Sequence, residues 1–124
     1  MTVATLDADL LTAAARLAEA FPERFIWFPT HEALRISLDG EHRTGGACAD
    51  AHLANPAHHG MVQWAIQQEC DARNWALKLD TSPHPTRPHA CVVIYTPTFH
   101  YGMAPDVTLA MIRALLNAQP SERS

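Results

Sequence analysis

The run Cys91–Tyr95, which reads CVVIY, constrains the fold of this chain more than any other segment. Its continuous apolar character and its β-branched residues favour a strand at the centre of a sheet. A helix is predicted soon after it, because Val107–Ala118 repeats apolar residues on one face. Pro105 at the first helical position or Asp106 as a cap can begin this helix. A buried strand followed by a capped helix indicates a domain that combines both structure types.

The first part of the sequence contains a helix and then strands. Leu6–Phe21 has apolar residues at alternating spacings of four and three, which is typical of an amphipathic helix. Phe25–Phe28 is a short apolar run that fits a strand or a buried connector. Leu34–Leu38 alternates apolar and polar residues, as a half-buried strand does. Asp39-Gly40 is a two-residue hairpin signal, and Glu41–Thr44 would return as a polar edge strand.

The middle of the sequence is harder to assign. Residues 45–60 are rich in glycine and histidine, and we interpret them as a loop with a short helical turn at 47–53. Met61–Trp75 is predicted to be a helix and Ala76–Leu79 a short strand. Residues 81–89 contain three prolines and should form an extended connection.

These elements predict an α+β fold, with about three helices on a mostly antiparallel sheet of 4–5 strands in a two-layer or three-layer sandwich. The length of 124 residues and the 48% apolar content fit a single globular domain over 1–124. Residues 119–124 are expected to be a frayed tail.

Charge and cysteine content exclude several classes of function. The net charge is −4, and the nine Lys and Arg residues are scattered, so binding to a nucleic-acid backbone is disfavoured. An odd number of cysteines, three, argues against a disulfide framework. The N-terminus lacks the positive segment of a signal peptide, and no apolar run is long enough to cross a bilayer. The expected location is therefore the cytoplasm, without membrane insertion.

Histidine is unusually frequent, with eight residues. The densest group contains Cys48, His52, His58 and His59, whose thiolate and imidazoles could bind a tetrahedral zinc ion. Their spacing matches no specific zinc motif, and a polar loop without metal explains the same residues. His31 precedes Glu32 and is a candidate for acid–base chemistry or a simple turn residue. The expected cofactor content is none, with zinc as the alternative.

The segment Thr96–Met103 is the strongest candidate for binding a small ligand. Phe99, His100 and Tyr101 follow the predicted central strand and precede a helix N-terminus, where backbone N–H groups favour an anion. The guanidinium of Arg87 or Arg113 would neutralise a phosphate of that ligand. The alternative is that the segment extends the sheet with alternating faces.

Two further residue types bear on partners. Trp64 conflicts with the apolar face of its predicted helix, so it is expected to be exposed and to contact a partner. Cys70 and Cys91 fall in a predicted helix and strand, where buried small side chains are expected. Cys48 is the thiol in the predicted loop.

The second half of the chain resembles a known family. A helix ends in Asn74-Trp75 at the start of a strand, and the last helix carries the pattern Asp-x-x-Leu-Ala-x-x-x-Ala-Leu-Leu from Asp106 onward. Over residues 61–118 this order resembles the phage alpha-beta-alpha sandwich domains. The resemblance implies a phage or prophage accessory protein and transfers no catalytic residue.

Three classes of function follow from these observations. The favoured one is a non-catalytic binding protein, a phage accessory factor that modulates a host defence system by binding a nucleotide-like ligand or a host protein. The second is a small metal-dependent hydrolase that uses His52, His58 and His59, with His31 as a further candidate. The third is a homo-oligomeric assembly component that associates through the second helix.

Overall fold

The computed structural model describes residues 8–38, 47–80 and 90–119. These residues form three α-helices, a short 3₁₀ turn and two three-stranded antiparallel sheets, which confirms the predicted α+β class. In chain order the elements are α1 (Ala8–Ala20), β1 (Phe25–Phe28), β2 (Ala33–Ser37), β3 (Cys48–His52), the 3₁₀ turn (Pro56–His58), α2 (His59–Ala72), β4 (Ala76–Asp80), β5 (Ala90–Tyr95), β6 (Phe99–Ala104) and α3 (Val107–Ala118). None of the helices in these ranges has the length and apolar character needed to span a membrane.

The chain divides into two compact units, and the boundary lies inside α2, between Ala65 and Ile66. The first unit holds the sheet β1–β2–β3, and the second holds the sheet β4–β5–β6. In both sheets, neighbouring strands are also neighbours in sequence, so each is a simple antiparallel meander.

In the first unit, α1 contacts β1 and buries its apolar stripe, which includes Leu10, Ala14 and Leu17. Period-two alternation divides the sheet into two faces. Leu34 and Ile36 are fully buried on one face, and Arg35 and its neighbours lie on the other.

In the second unit, α3 lies against β5 and β6. Gly102 makes this close approach feasible, because a Cβ atom there would collide with the backbone of Ala110 and Ala114 in α3. Val92 and Ile94 of β5 are completely buried on the α3 side of the sheet. β5 is the central strand of its sheet, as the CVVIY run predicts.

The described residues form six strands in two sheets, whereas the sequence predicted 4–5 strands in one sheet. The first additional strand is β3, which falls in the segment predicted to be a loop with a helical turn. Ala49 and Ala51 form its inward side, and alanine has low strand propensity, so cross-strand pairing with β2 decides its conformation. The second is β6, whose alternating exposure agrees with the alternative interpretation that Thr96–Met103 extends the sheet.

The second helix also differs from its prediction. α2 is His59–Ala72, so it starts two residues earlier and ends three residues earlier than the predicted Met61–Trp75. Asn74 has a φ of 60°, and the Trp75 N–H donates to Cys70 O at 2.9 Å. A left-handed asparagine with such a backward hydrogen bond is a common way to end a helix.

Several predicted elements lie outside the described residues. They are the start of the first helix, the Asp39-Gly40 hairpin, the strand Glu41–Thr44, the connection 81–89 and the tail beyond Gln119.

Candidate functional site

β1 is an edge strand of its sheet, and part of its backbone faces away from β2. The Ser37 N–H donates to Arg24 O at 2.8 Å, so the Arg24 carbonyl points toward β2. Because this direction alternates along an antiparallel ladder, the N–H and C=O groups of Phe25 and Trp27 point outward. The Phe25 N–H donates to Phe21 O at 3.0 Å. Within the described ranges, no hydrogen bond engages the Phe25 carbonyl, the Trp27 N–H or the Trp27 carbonyl.

A groove of about 320 Å³ lies beside this edge, between α1 and β1. We call it the β1 groove. Its lining consists of Ala15, Ala18, Glu19, Pro22, Phe25, Ile26 and Trp27. Ala15 and Ala18 leave space because their side chains are short, and Ile26 is 38% exposed. Glu19 is exposed and places a carboxylate at the groove. The first unit thus combines outward backbone groups, apolar walls and one negative charge.

The predicted ligand segment Phe99–Tyr101 forms the first half of β6. Phe99 and Tyr101 are 63% and 53% exposed, and their rings stack with centroids 6.5 Å apart. The expected proximity to the helix N-terminus is not found, because β6 runs antiparallel to α3. The carbonyl of Tyr101 accepts a hydrogen bond from Asn117, which is near the C-terminal end of that helix.

The polar residues of that prediction have structural partners. His100 Nε2 lies 3.0 Å from Thr96 Oγ1 and 2.9 Å from Thr98 Oγ1, in the β5–β6 turn. Arg113 Nη1 donates to Met103 O at 2.9 Å. At the start of α3 the Asp106 carboxylate accepts from the Leu109 N–H at 3.0 Å, which confirms Asp106 as the cap. Arg87 lies outside the described residues, and the ligand-binding role of this segment stays a prediction.

The predicted metal ligands surround the turn between β3 and α2. The His52 backbone N–H donates to His58 Nδ1 at 3.0 Å, so this nitrogen acts as an acceptor. His59 Nε2 lies 2.8 Å from Leu53 O and donates to that carbonyl. Cys48 is exposed at the other end of β3. In residues 8–38, 47–80 and 90–119, no three His, Cys, Asp or Glu side chains are grouped to hold a metal ion. Zinc binding stays a prediction.

A second pocket, of about 260 Å³, lies on the face of the first sheet that carries Arg35. Arg35 Nε donates to Asp50 Oδ1 at 2.8 Å, and its guanidinium stacks 4.8 Å from the ring centroid of Phe28. This hydrogen bond lowers the pKa of the Asp50 carboxyl below its ordinary value, and His52 and His31 add attraction in the same direction. His31 and His52 line the pocket, so the predicted acid–base candidate and one predicted metal ligand share one site.

Trp64 is 42% exposed in α2, as predicted from its position off the apolar face of the helix. Cys70 is completely buried, as expected. Burial raises the pKa of its thiol to about 12.

Sequence reasoning missed the β1 groove. The Phe25–Phe28 run begins three residues after Pro22, and this position favours a strand at the edge of the sheet. The groove itself depends on the approach of Ala15 and Ala18 to Ile26, which is a tertiary relationship. No protein-family model, curated protein or solved structure was found to match this chain.

Proposed function

We propose that this chain is a non-catalytic binding protein that captures an extended segment of a partner protein along β1. The observation that carries the proposal is that the backbone N–H and C=O groups of the part-exposed Trp27 point away from β2 beside the β1 groove. An exposed sheet edge with a neighbouring apolar groove is the arrangement that proteins use for strand addition.

Backbone pairing would supply the first part of the interaction. The Trp27 N–H and C=O lie on one residue and can exchange two hydrogen bonds with a facing residue of an added antiparallel strand. Such pairing is independent of side chains, so it gives affinity without sequence preference.

Side chains in the β1 groove would supply selectivity. Alternate residues of an added strand point to the same side, so every second side chain of the partner can enter the groove. The alanine walls and Pro22 favour apolar side chains there. Glu19 favours a Lys or Arg in the partner segment, because this carboxylate lies beside the apolar walls. The occupant is thus an extended segment with alternating apolar residues and one basic residue.

This proposal develops the host-protein form of the function inferred from the sequence. A phage accessory factor that modulates a host system would need a surface of this type. The nucleotide-binding form and the metal-dependent hydrolase stay predictions, and calorimetry with nucleotides and metal analysis of the purified protein would test them.

The direct test is selection of twelve-residue peptides from a displayed random library, followed by calorimetry with the selected peptides. We expect alternating apolar residues with a Lys or Arg. Methylation of alternate backbone nitrogens in the best peptide should reveal strand pairing. Methyl groups on the nitrogens that face β1 should abolish binding, and methyl groups on the nitrogens that face away should leave the affinity within about twofold.

A matched pair of variants locates the site. Ala18→Arg fills the β1 groove and should weaken peptide binding at least tenfold. Thr12→Arg adds the same charge at an exposed position of α1 outside the groove and should leave binding unchanged. The proposal would be contradicted if both sets of methylated peptides lost affinity equally, or if the Ala18→Arg variant bound the peptide as tightly as the wild type.

A further inference from the structure

The face of the second sheet opposite α3 is unusually apolar. In the β5–β6 register, Tyr95 faces Phe99, Val93 faces Tyr101 and Cys91 faces Met103, and Lys78 of β4 faces Val93. We call this set the outer face. Its members by register are Ala76, Lys78, Asp80, Cys91, Val93, Tyr95, Phe99, Tyr101 and Met103.

The large side chains of the outer face are exposed in the single chain. The exposed fractions are 45% for Tyr95, 63% for Phe99, 53% for Tyr101 and 53% for Met103. An antiparallel sheet with one buried face normally has polar residues on the other. The CVVIY strand is apolar on both sides, yet the chain itself buries only the side that carries Val92 and Ile94. The composition of the outer face is therefore typical of a surface that packs against a partner, not of one that faces solvent.

The rings of the outer face are already ordered into a row. The centroids of Tyr95 and Phe99 are 5.0 Å apart, and those of Phe99 and Tyr101 are 6.5 Å apart. Ordered rings lose little conformational entropy when a partner covers them. Large apolar patches of this kind mark interaction surfaces.

The adjacent edge of the sheet is less suited to pairing than its face. Arg113 and Asn117 of α3 donate hydrogen bonds to the carbonyls of Met103 and Tyr101 on β6. An added strand would have to displace both side chains. A partner therefore meets this sheet through side chains of the outer face.

We infer that the occupant of the outer face is a second copy of this chain, related by a two-fold axis. The chain carries a net charge of −4, so two copies repel each other in general. The strand register places Lys78 and Asp80 on the outer face, and their formal charges are opposite, so two copies can meet here without that general repulsion. Aromatic rows are also complementary to themselves, because rings stack in offset or edge-to-face pairs.

The four large side chains supply part of the area that a dimer interface needs. The four large side chains expose roughly 100 Å² each, given the areas that such residues bury in full. That is about half of the roughly 800 Å² per partner in a standard interface. Val93, Cys91 and the aliphatic part of Lys78 extend the contact beyond the row of rings.

Sedimentation equilibrium from about 1 to 100 µM tests the inference directly. The wild-type protein should approach twice the chain mass of 13.7 kDa. Tyr101→Glu should shift the mass to that of one chain, because each copy would bury an unpaired carboxylate. The milder variant Phe99→Ser should weaken the dimer at least tenfold. Far-UV circular dichroism of both variants should match that of the wild type.

Trp64→Glu is the matched control, since Trp64 is an exposed aromatic residue on α2. It should leave the dimer intact. A wild-type mass of one chain at the highest concentration would overturn the inference. The inference would also be overturned if Tyr101→Glu and Phe99→Ser both remained dimeric. If Trp64→Glu were monomeric, the dimer interface would lie on α2 and not on the outer face. The peptide that binds at β1 uses other residues, so failure of one proposal leaves the other standing.

Discussion

Asn117 Nδ2 donates a hydrogen bond of 2.8 Å to the carbonyl of Tyr101, joining the last turn of α3 to the edge of β6. One helical turn earlier, Arg113 bonds the carbonyl of Met103 in the same way. Exposed sheet edges are sites of unwanted pairing, and proteins often cover them. Asn117 and Arg113 therefore stabilise the fold and also protect the edge of β6 from pairing with another strand.

Asn117→Ala should lower the free energy of unfolding by about 1 kcal/mol, because it removes a hydrogen bond at an exposed site. Asn117→Asp should cost more, because it places a carboxylate against a carbonyl oxygen and both are acceptors. Urea unfolding of the two variants measures the difference. Equal stability of both variants and the wild type would show that the bond contributes nothing.

Gly102 and Gly60 form a matched pair for a second prediction. A methyl group at Gly102 would collide with the backbone of Ala110 and Ala114, whereas a methyl group at Gly60 meets nothing within 4 Å. Gly102→Ala should destabilise the protein by about 3 kcal/mol, since helix and strand must separate. Gly60→Ala lies in the first turn of α2 and should stabilise it by about 0.5–1 kcal/mol. In thermal unfolding, the midpoint should fall for Gly102→Ala and rise for Gly60→Ala.

The elements that the sequence predicts well are those whose local pattern agrees with their environment. α1 buries one apolar stripe, α3 buries eight of its 12 residues, and β5 has the strongest strand composition in the chain. Asp106 as the cap of α3 follows from the chemistry of its side chain alone. In these cases local propensity and tertiary contacts favour the same structure.

The elements that the sequence misses depend on distant partners. β3 is a strand because Ala49 and Ala51 complete the pairing with β2, although neither residue favours strands by itself. The direction of α3 along β6 decides that Tyr101 lies near Asn117 and far from the helix start. The direction of the Trp27 backbone groups, away from β2, depends on the ladder register, which no local pattern encodes.

Cysteine reactivity provides a third prediction. Burial raises the pKa of the Cys70 thiol to about 12, so at pH 8 the reactive thiolate is present at roughly one part in ten thousand. Cys48 is exposed and should react quickly with a thiol reagent. We expect Cys70 to react only after unfolding in guanidinium, as followed by mass spectrometry of labelled peptides. A Cys48→Ser variant serves as the control, and rapid labelling of Cys70 in that folded variant would contradict the prediction.

The pair Arg35–Asp50 gives a fourth prediction, about acid stability. The hydrogen bond from Arg35 lowers the pKa of Asp50 in the folded protein, so ionised Asp50 stabilises the fold at neutral pH. This contribution is complete above the ordinary aspartate pKa of about 3.9 and is lost as the pH falls through the lower folded value. Coulombic attraction from His52 and His31 acts on Asp50 in the same direction.

Carbon-13 NMR of the Asp50 carboxyl group should therefore show a pKa below the ordinary value in the wild-type protein. Arg35→Ala should raise it, and the urea midpoint of the variant should change less between pH 5 and pH 3 than that of the wild type. Arg73→Ala is the control, because Arg73 pairs with Glu69 on α2 and should leave the Asp50 titration unchanged. An Asp50 pKa at its ordinary value in the wild type would mean that the 2.8 Å contact is not maintained in solution.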